Sequence, residues 1–270
     1  MSRTEKRNPK TTHFSKESTV SMLNIINEEN MNSVRAVGDA VEDIAKAVDA
    51  VTEAFLSGGR LIYVGAGTSG RIAVMDAAEC PPTFGVDYDT VITVMAGGKD
   101  AMFRAAEGAE DSEELGRVDL LMKNPTKLDV VMGISASGNA EYVASALRTA
   151  KDMGCVTVSL SSNEDCKIGN IADIPIFVNT GAEVISGSTR MKAGNSQKFV
   201  LNMITTCAMA KTGKVYENLM INLRPTNKKL RQRMIGIVAE ICEVSEERAL
   251  VLLEEHDFSI RKVFEAYGKV

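Results

Sequence analysis

Five short apolar runs set the architecture of this chain. They fall near residues 61–64, 91–95, 130–134, 156–160 and 174–178, and each is largely apolar rather than alternating. Runs of that kind and length read as strands buried on both faces. Helical segments are expected between them, near 71–78, 101–107, 112–122 and 141–153. Strands alternating with helices give an α/β fold: a parallel sheet of about five strands, sandwiched by helices.

The flanks read differently. Residues 1–14 are polar and irregular, an arm rather than a core element. Helices are expected at about 18–27 and 31–56; Val34, Val37, Val41, Ile44, Val48, Val51 and Phe55 share one face of the second. Ser57-Gly58-Gly59 ends it. A long helix follows the sheet at 191–211, with Phe199, Val200, Met203 and Ile204 as its buried candidates. After Leu219 the pattern changes. Pro225-Thr226-Asn227 reads as a turn with a helix start, Ser245 as a second cap, and 258–267 as a third helix. The expected division is an N-terminal arm and helices (1–58), a sheet domain (59–220) and a small helical bundle (221–270).

Composition removes several function classes. The net charge of −5 provides no global basic field for nucleic acid. The local run Lys228-Lys229-Leu230-Arg231-Gln232-Arg233 reads as a solvated helix face. The five cysteines are scattered without a C-x-x-C pair, so neither a zinc site nor a redox motif is indicated, and reduced thiols in a cytosol are expected. No apolar stretch approaches membrane-spanning length, and no apolar h-region follows the charged N-terminus. A cytoplasmic protein acting on a small molecule is expected, with no membrane or nucleic-acid partner. Only two histidines are present, His13 and His256. Acid–base chemistry would therefore fall to carboxylates or lysines.

The first strand runs into Gly65-Ala66-Gly67-Thr68-Ser69-Gly70-Arg71, a glycine turn opening a helix. Backbone N–H groups in such a turn favour an anion. The spacing matches a dinucleotide fingerprint, but that reading needs an acid at the end of the next strand. Here that position is Ala96-Gly97-Gly98-Lys99. A second turn, Gly133-Ile134-Ser135-Ala136-Ser137-Gly138, echoes the first after the third strand. Two hydroxyl-bearing turns at strand ends suit a sugar monophosphate; the competing reading is a pair of ordinary small-residue turns.

At these residues the chain resembles the sugar isomerase (SIS) domain. More narrowly, Ala77-Ala78-Glu79-Cys80-Pro81-Pro82-Thr83-Phe84-Gly85, Glu107-Gly108-Ala109-Glu110-Asp111-Ser112 and Gly187-Ser188-Thr189-Arg190-Met191-Lys192-Ala193-Gly194 resemble the N-acetylmuramic acid 6-phosphate etherase family. The resemblance covers nearly the whole chain. Glucokinase regulatory protein shares part of the pattern in a longer chain with two such domains. The resemblance implies cleavage of the lactyl ether of N-acetylmuramic acid 6-phosphate by elimination and hydration, in cell-wall sugar recycling. It implies no metal and no organic cofactor, and a homodimer. The C-terminal helices resemble a ubiquitin-associated-like bundle. A non-catalytic sugar-phosphate regulator and an aldose–ketose isomerase remain as alternatives.

The resemblance implies Glu79 as the acid that protonates the departing lactate, and Glu110 as the base at C2. From the residues alone, Glu79 is expected just before Pro81-Pro82 stops its helix, where the dipole favours a protonated carboxyl. Glu110 stands among Glu107 and Asp111, and the sequence does not choose among them. Which glutamate takes which proton stays open. Phosphate is assigned to Gly67, Thr68, Ser69, Gly70, Ser135, Ser137, Gly138 and Asn139, with N–H groups of Gly70 and Gly138 contributing. Ser188, Thr189 and Lys192 are second-line pocket residues, Lys192 being equally readable as a surface lysine. Two departures from the family pattern bear on the phosphate: Asn139-Ala140-Glu141 stands where Arg-Thr-Pro is usual, and Asn195 where threonine is usual. Glu141 would repel phosphate if it pointed inward.

Overall fold

The computed structural model describes residues 3–269. Its centre is a five-stranded, all-parallel sheet in the order β2-β1-β3-β4-β5. The strands are β1 (Leu61–Gly65), β2 (Val91–Met95), β3 (Val130–Ile134), β4 (Val156–Ser161) and β5 (Ile174–Phe177). Each lies within a residue of its sequence-based position. The first and third are fully buried along their length, as doubly covered strands must be.

Helices cover both faces. One face carries α1 (Thr19–Asp39), α2 (Val41–Leu56), α3 (Gly67–Phe84) and α7 (Lys192–Lys211); the other carries α4 (Glu113–Leu121), α5 (Glu141–Asp152) and the short α6 (Lys167–Ile171). No helix among the described residues is long and apolar enough to cross a membrane. Beyond a small hairpin at 215–220, α8 (Lys228–Cys242), α9 (Glu246–Glu255) and α10 (Ile260–Ala266) enclose their own core around Met234, Val238, Leu253 and Phe264. Asn227 and Ser245 cap α8 and α9 as the sequence suggests.

Several boundaries differ from expectation, each for a tertiary reason. The polar run Asn27-Glu28-Glu29-Asn30 is not a linker; α1 runs through it, because Glu29 is buried against Lys192, 163 residues away. The chain bends instead at Ala40. That bend shifts the apolar phase, so Val34 and Val41 are exposed while Val37, Ile44, Val48 and Val51 are buried. Phe199, expected inside, is also exposed. Segment 101–107 forms only a 3₁₀ turn at Lys99–Met102, because the carbonyls of Ala101 and Met102 accept from the Arg71 guanidinium rather than from helical N–H groups.

The largest correction concerns α3. It does not stop before Pro81; both prolines lie inside it and it continues to Phe84. Two prolines remove two N–H donors from the final turn. That turn is closed from outside. Gly85 takes the left-handed conformation (φ 62°) and its N–H bonds the Pro81 carbonyl, while the Asn222 side chain donates to the Phe84 carbonyl at 2.6 Å.

The N-terminal arm is not loose. Asn8, Thr11 and Thr4 are buried. Thr11 donates to the Val184 carbonyl at 2.8 Å, and the Arg3 N–H to Asn163 Oδ1 at 2.7 Å.

Candidate active site

In the order β2-β1-β3-β4-β5, the connections leave β1 and β3 in opposite directions, so a crevice opens at their carboxyl ends. The register pairs Gly65 with Ile134. The glycine turn and the serine turn therefore leave neighbouring strands at the same level. The expected pairing of the two turns is a consequence of this topology.

The glycine turn is absorbed into the first turn of α3. The Gly70 N–H bonds the Ala66 carbonyl at 3.2 Å, and a Cβ at Gly70 would press on Met95 and the Gly65 carbonyl. Gly70 is therefore required for close packing, not as a donor. The unused donors of a helix start are its first N–H groups, here those of Gly67, Thr68 and Ser69. Ser69 is buried and Thr68 half-buried, with the Thr68 methyl beside Gly194 at the start of α7. This contact brings the neighbouring Thr189 and Ser188 to the same side, since the Gly194 N–H bonds the Thr189 carbonyl.

The serine turn is preformed. The Ser135 and Ser137 hydroxyls lie 3.4 Å apart. The Gly138 N–H donates to Ser135 Oγ at 3.1 Å, so it too is used within the turn rather than left for a ligand. Gly138 has φ 73°, and a Cβ there would collide with Cys166. Asn163 donates to both the Ala136 and Ser137 carbonyls at 3.2 Å. Since the Arg3 N–H bonds Asn163, the N-terminal arm braces this turn from behind. The Asn139 amide folds back onto the Ser137 carbonyl, and its N–H onto Ser137 Oγ. Glu141 does not point at the turn. It pairs with Lys167 and lies 3.9 Å from Arg148, and the Lys167 ammonium holds its carboxyl below the usual range. Asn195 is exposed on α7.

Glu110 sits on a short 3₁₀ turn (Ala109–Asp111) and lines a cavity of about 300 Å³ together with Ala66, Gly67, Arg71 and Glu107. The structure thus brings Glu110 to the glycine turn. Arg71 is the residue that the sequence left without a role: its guanidinium fastens the loop that leads to Glu110, through Ala101 and Met102 at 2.8 and 3.1 Å.

Glu79 is elsewhere. It lies twelve residues along α3 from Gly67, which is roughly 18 Å at helical rise. It is exposed and lines a separate recess between α3 and α7, with Asp76, Lys198, Asn202 and Thr206. At the base of that recess Asp76 accepts from Tyr63 Oη (2.9 Å), Asn202 Nδ2 (2.7 Å) and Thr205 Oγ1 (3.3 Å). Burial pushes Asp76 above the usual carboxylate range despite these donors, and raises the neighbouring Cys80 thiol to about 12. That thiol is not a nucleophile near neutrality.

Lys192 is neither a surface residue nor one of the residues lining the Glu110 cavity. It is buried, and its ammonium lies 2.5 Å from Glu29 Oε2. Asn8 donates to the same oxygen at 2.8 Å. Burial works to raise the Glu29 carboxyl, but Lys192, Asn8 and Lys10 outweigh it and hold it below the usual range. Glu183 accepts the Lys192 and Ala193 N–H groups at 3.0 and 2.9 Å, capping α7; burial leaves its own carboxyl raised.

Known proteins resemble this chain in sequence or in fold. Residues 43–151 match the family model for the glucokinase regulatory protein N-terminal SIS domain. The N-acetylmuramic acid 6-phosphate etherase of Clostridioides difficile strain 630 is 46% identical over 258 residues, covering 96% of this chain and 85% of that protein. Etherase 2 of Vibrio parahaemolyticus is 50% identical over 246 residues, covering 91% and 82%. Among solved structures, a phosphoheptose isomerase from Francisella tularensis superposes with TM-score 0.57 at 16% identity, over 72% of this chain and 100% of its own. The phosphoheptose isomerase of Neisseria gonorrhoeae gives 0.51 at 18% identity, over 70% and 99%. The solved structures share the fold alone. The sequence relatives share close to half of all residues over almost the full length, and the chain belongs to the N-acetylmuramic acid 6-phosphate etherase family.

Proposed function

We propose that this protein is an N-acetylmuramic acid 6-phosphate etherase, a carbon–oxygen lyase. It cleaves the D-lactyl ether at C3 with water and yields N-acetylglucosamine 6-phosphate and D-lactate. The observation that carries the reading is Glu110 lining one cavity with the first turn of α3, at the switch point of the sheet, in a chain 46–50% identical to etherases.

In this reading the phosphate lies over the N–H groups of Gly67, Thr68 and Ser69 and takes the Ser135 and Ser137 hydroxyls. Thr189 and Ser188 close the same side. Glu110 removes the C2 proton of the open-chain sugar, which the C1 aldehyde acidifies. Electrons from the C2–H bond form the C2–C3 double bond, and the C3–O bond breaks. Glu79 delivers its proton to the departing lactyl oxygen. Water then adds at C3 as a proton returns to C2. One glutamate must be ionised while the other is protonated, as in any paired acid–base site.

The separation of roughly 18 Å along α3 exceeds what one hexose phosphate can bridge from the first turn of that helix to Glu79. We therefore read each site as shared across a homodimer, with Glu110 and the cradle from one chain and Glu79 from the other. The exposed apolar residues Val20, Leu23, Met31 and Val34 on α1 offer a face for such an association. The division into an arm with two helices (1–58), a sheet domain (59–220) and a helical bundle (221–270) belongs to the same proposal, as does a cytoplasmic place in amino-sugar recycling.

Incubating the purified protein with N-acetylmuramic acid 6-phosphate and assaying D-lactate tests the reading. Release of lactate supports it. Sugar isomerisation without lactate would favour the isomerase alternative, and binding without turnover the regulator. Glu79→Gln and Glu110→Gln should each abolish release; wild-type turnover in either removes that residue from the mechanism.

A further inference from the structure

The lactyl group carries a carboxylate, and that carboxylate is what separates the substrate from its product sugar. It is attached to the carbon that bears the ether oxygen. Whatever protonates that oxygen must therefore stand within a few ångström of the carboxylate. If Glu79 is the proton donor, the recess that holds Glu79 must also hold a second, permanently charged carboxylate.

As lined by acids alone, that recess would repel one. Asp76 lies at its base and Glu79 at its rim. The one cation among its lining residues is Lys198. Lys198 stands on α7, exposed, between the level of Gly194, which packs on Thr68, and that of Asn202, which bonds Asp76. Its ammonium donates to Asn202 Oδ1, and Asn202 Nδ2 donates onward to Asp76. The lysine is thus held at the recess by a neutral amide; its charge is felt by the buried Asp76 beyond that amide, but no carboxylate lies within ion-pair distance of it among the described residues. Met75 and Phe84 supply apolar surface at the same recess for a methyl group.

We propose that Lys198 binds the lactyl carboxylate, with Asn202 holding the ammonium in place, and that this contact selects the lactyl ether as substrate. The proposal rests on Glu79 being the proton donor. An ammonium–carboxylate hydrogen bond in such a recess orients the leaving group for protonation and offsets its negative charge as the C3–O bond breaks.

The test is a cycle of two enzymes and two substrates: wild type and Lys198→Met, each with N-acetylmuramic acid 6-phosphate and with its lactyl amide, which keeps the shape and lacks the charge. Wild type should favour the acid over the amide by about 30-fold in kcat/KM, the size of one charged hydrogen bond. Lys198→Met should lose most of its turnover of the acid, retain wild-type turnover of the amide, and so lose the preference. Lys198→Arg should recover part of it. Equal losses on both substrates, or an unchanged preference, would overturn the proposal. Glu79→Gln run beside them separates the two claims. If it is silent while Lys198→Met keeps the acid preference, the inference fails and the Glu79 reading stands. If Glu79→Gln turns over normally, the Glu79 reading fails and so does the inference built on it.

Discussion

The Asn222 side-chain amide closes α3 by donating to the Phe84 carbonyl at 2.6 Å, one turn beyond the glutamate that this helix presents. Phe84 ends the helix, so its carbonyl has no intrahelical donor, and the bond from the segment leading to α8 satisfies it. Asn222→Ala should lower stability by about 1–2 kcal/mol, the scale of a lost hydrogen bond to a partly buried carbonyl. Gly85→Ala should cost more, because it adds left-handed strain to a collision with the Asn222 carbonyl. Urea unfolding reads both, and in each variant kcat should fall while KM changes little.

Lys192 and Glu29 form a buried pair joining α7 to α1 and, through Asn8, to the arm. Lys192→Met leaves Glu29 without its buried cation and should destabilise by about 3–5 kcal/mol. In the wild type the native carboxyl of Glu29 lies below its unfolded value, so its contribution is present above that value and is lost as pH falls through the native one. In the variant Asn8 and Lys10 still oppose burial but the Lys192 ammonium is gone, so the native carboxyl moves back up toward its unfolded value and the acid-side loss of stability shrinks. Unfolding midpoints measured from about pH 3 to 7 should therefore fall less steeply on the acid side in the variant than in the wild type.

Asn163 touches no proposed ligand atom but holds the carbonyls of Ala136 and Ser137. Asn163→Ala should raise KM several-fold through a loosened serine turn and leave kcat near wild type. Ser137→Ala should raise KM by about 10-fold, the loss of one hydrogen bond to a charged phosphate. Steady-state kinetics on both variants is the check; an unchanged KM in Ser137→Ala would remove that hydroxyl from the phosphate site.

Leu23 and Val34 leave apolar side chains in solvent on α1. Leu23→Glu with Val34→Glu should give a monomer by light scattering, with lactate release lost in the same preparation. A monomer that retained full turnover would contradict a shared site.

The sheet was legible because its strands are unbroken apolar runs, and its topology then placed the two turns side by side. What the sequence hid were contacts between distant segments. Glu29 looks like part of a polar linker until Lys192 is beside it. Pro81-Pro82 reads as a stop until Asn222 is seen to close the turn. The segment 101–107 has helical spacing, yet its carbonyls go to Arg71. The same holds within the site. The resemblance named Glu110 without placing it, and the cavity it shares with the glycine turn emerges only in the fold; the helix from the glycine turn to Glu79 was expected, but its length, about three turns, keeps Glu79 away from that turn. The N–H groups of Gly70 and Gly138, expected to face a ligand, are bonded within their own turns, which local spacing does not reveal.

Mixing Glu79→Gln and Glu110→Gln chains tests the account most directly. Each variant alone should release no D-lactate from N-acetylmuramic acid 6-phosphate. After equal amounts of the two are unfolded together and refolded, mixed dimers carry one site with both glutamates intact, so lactate release should return to about a quarter of the wild-type rate in a two-fold symmetric dimer. Mixtures as silent as the separate variants would contradict a site built from Glu110 of one chain and Glu79 of the other.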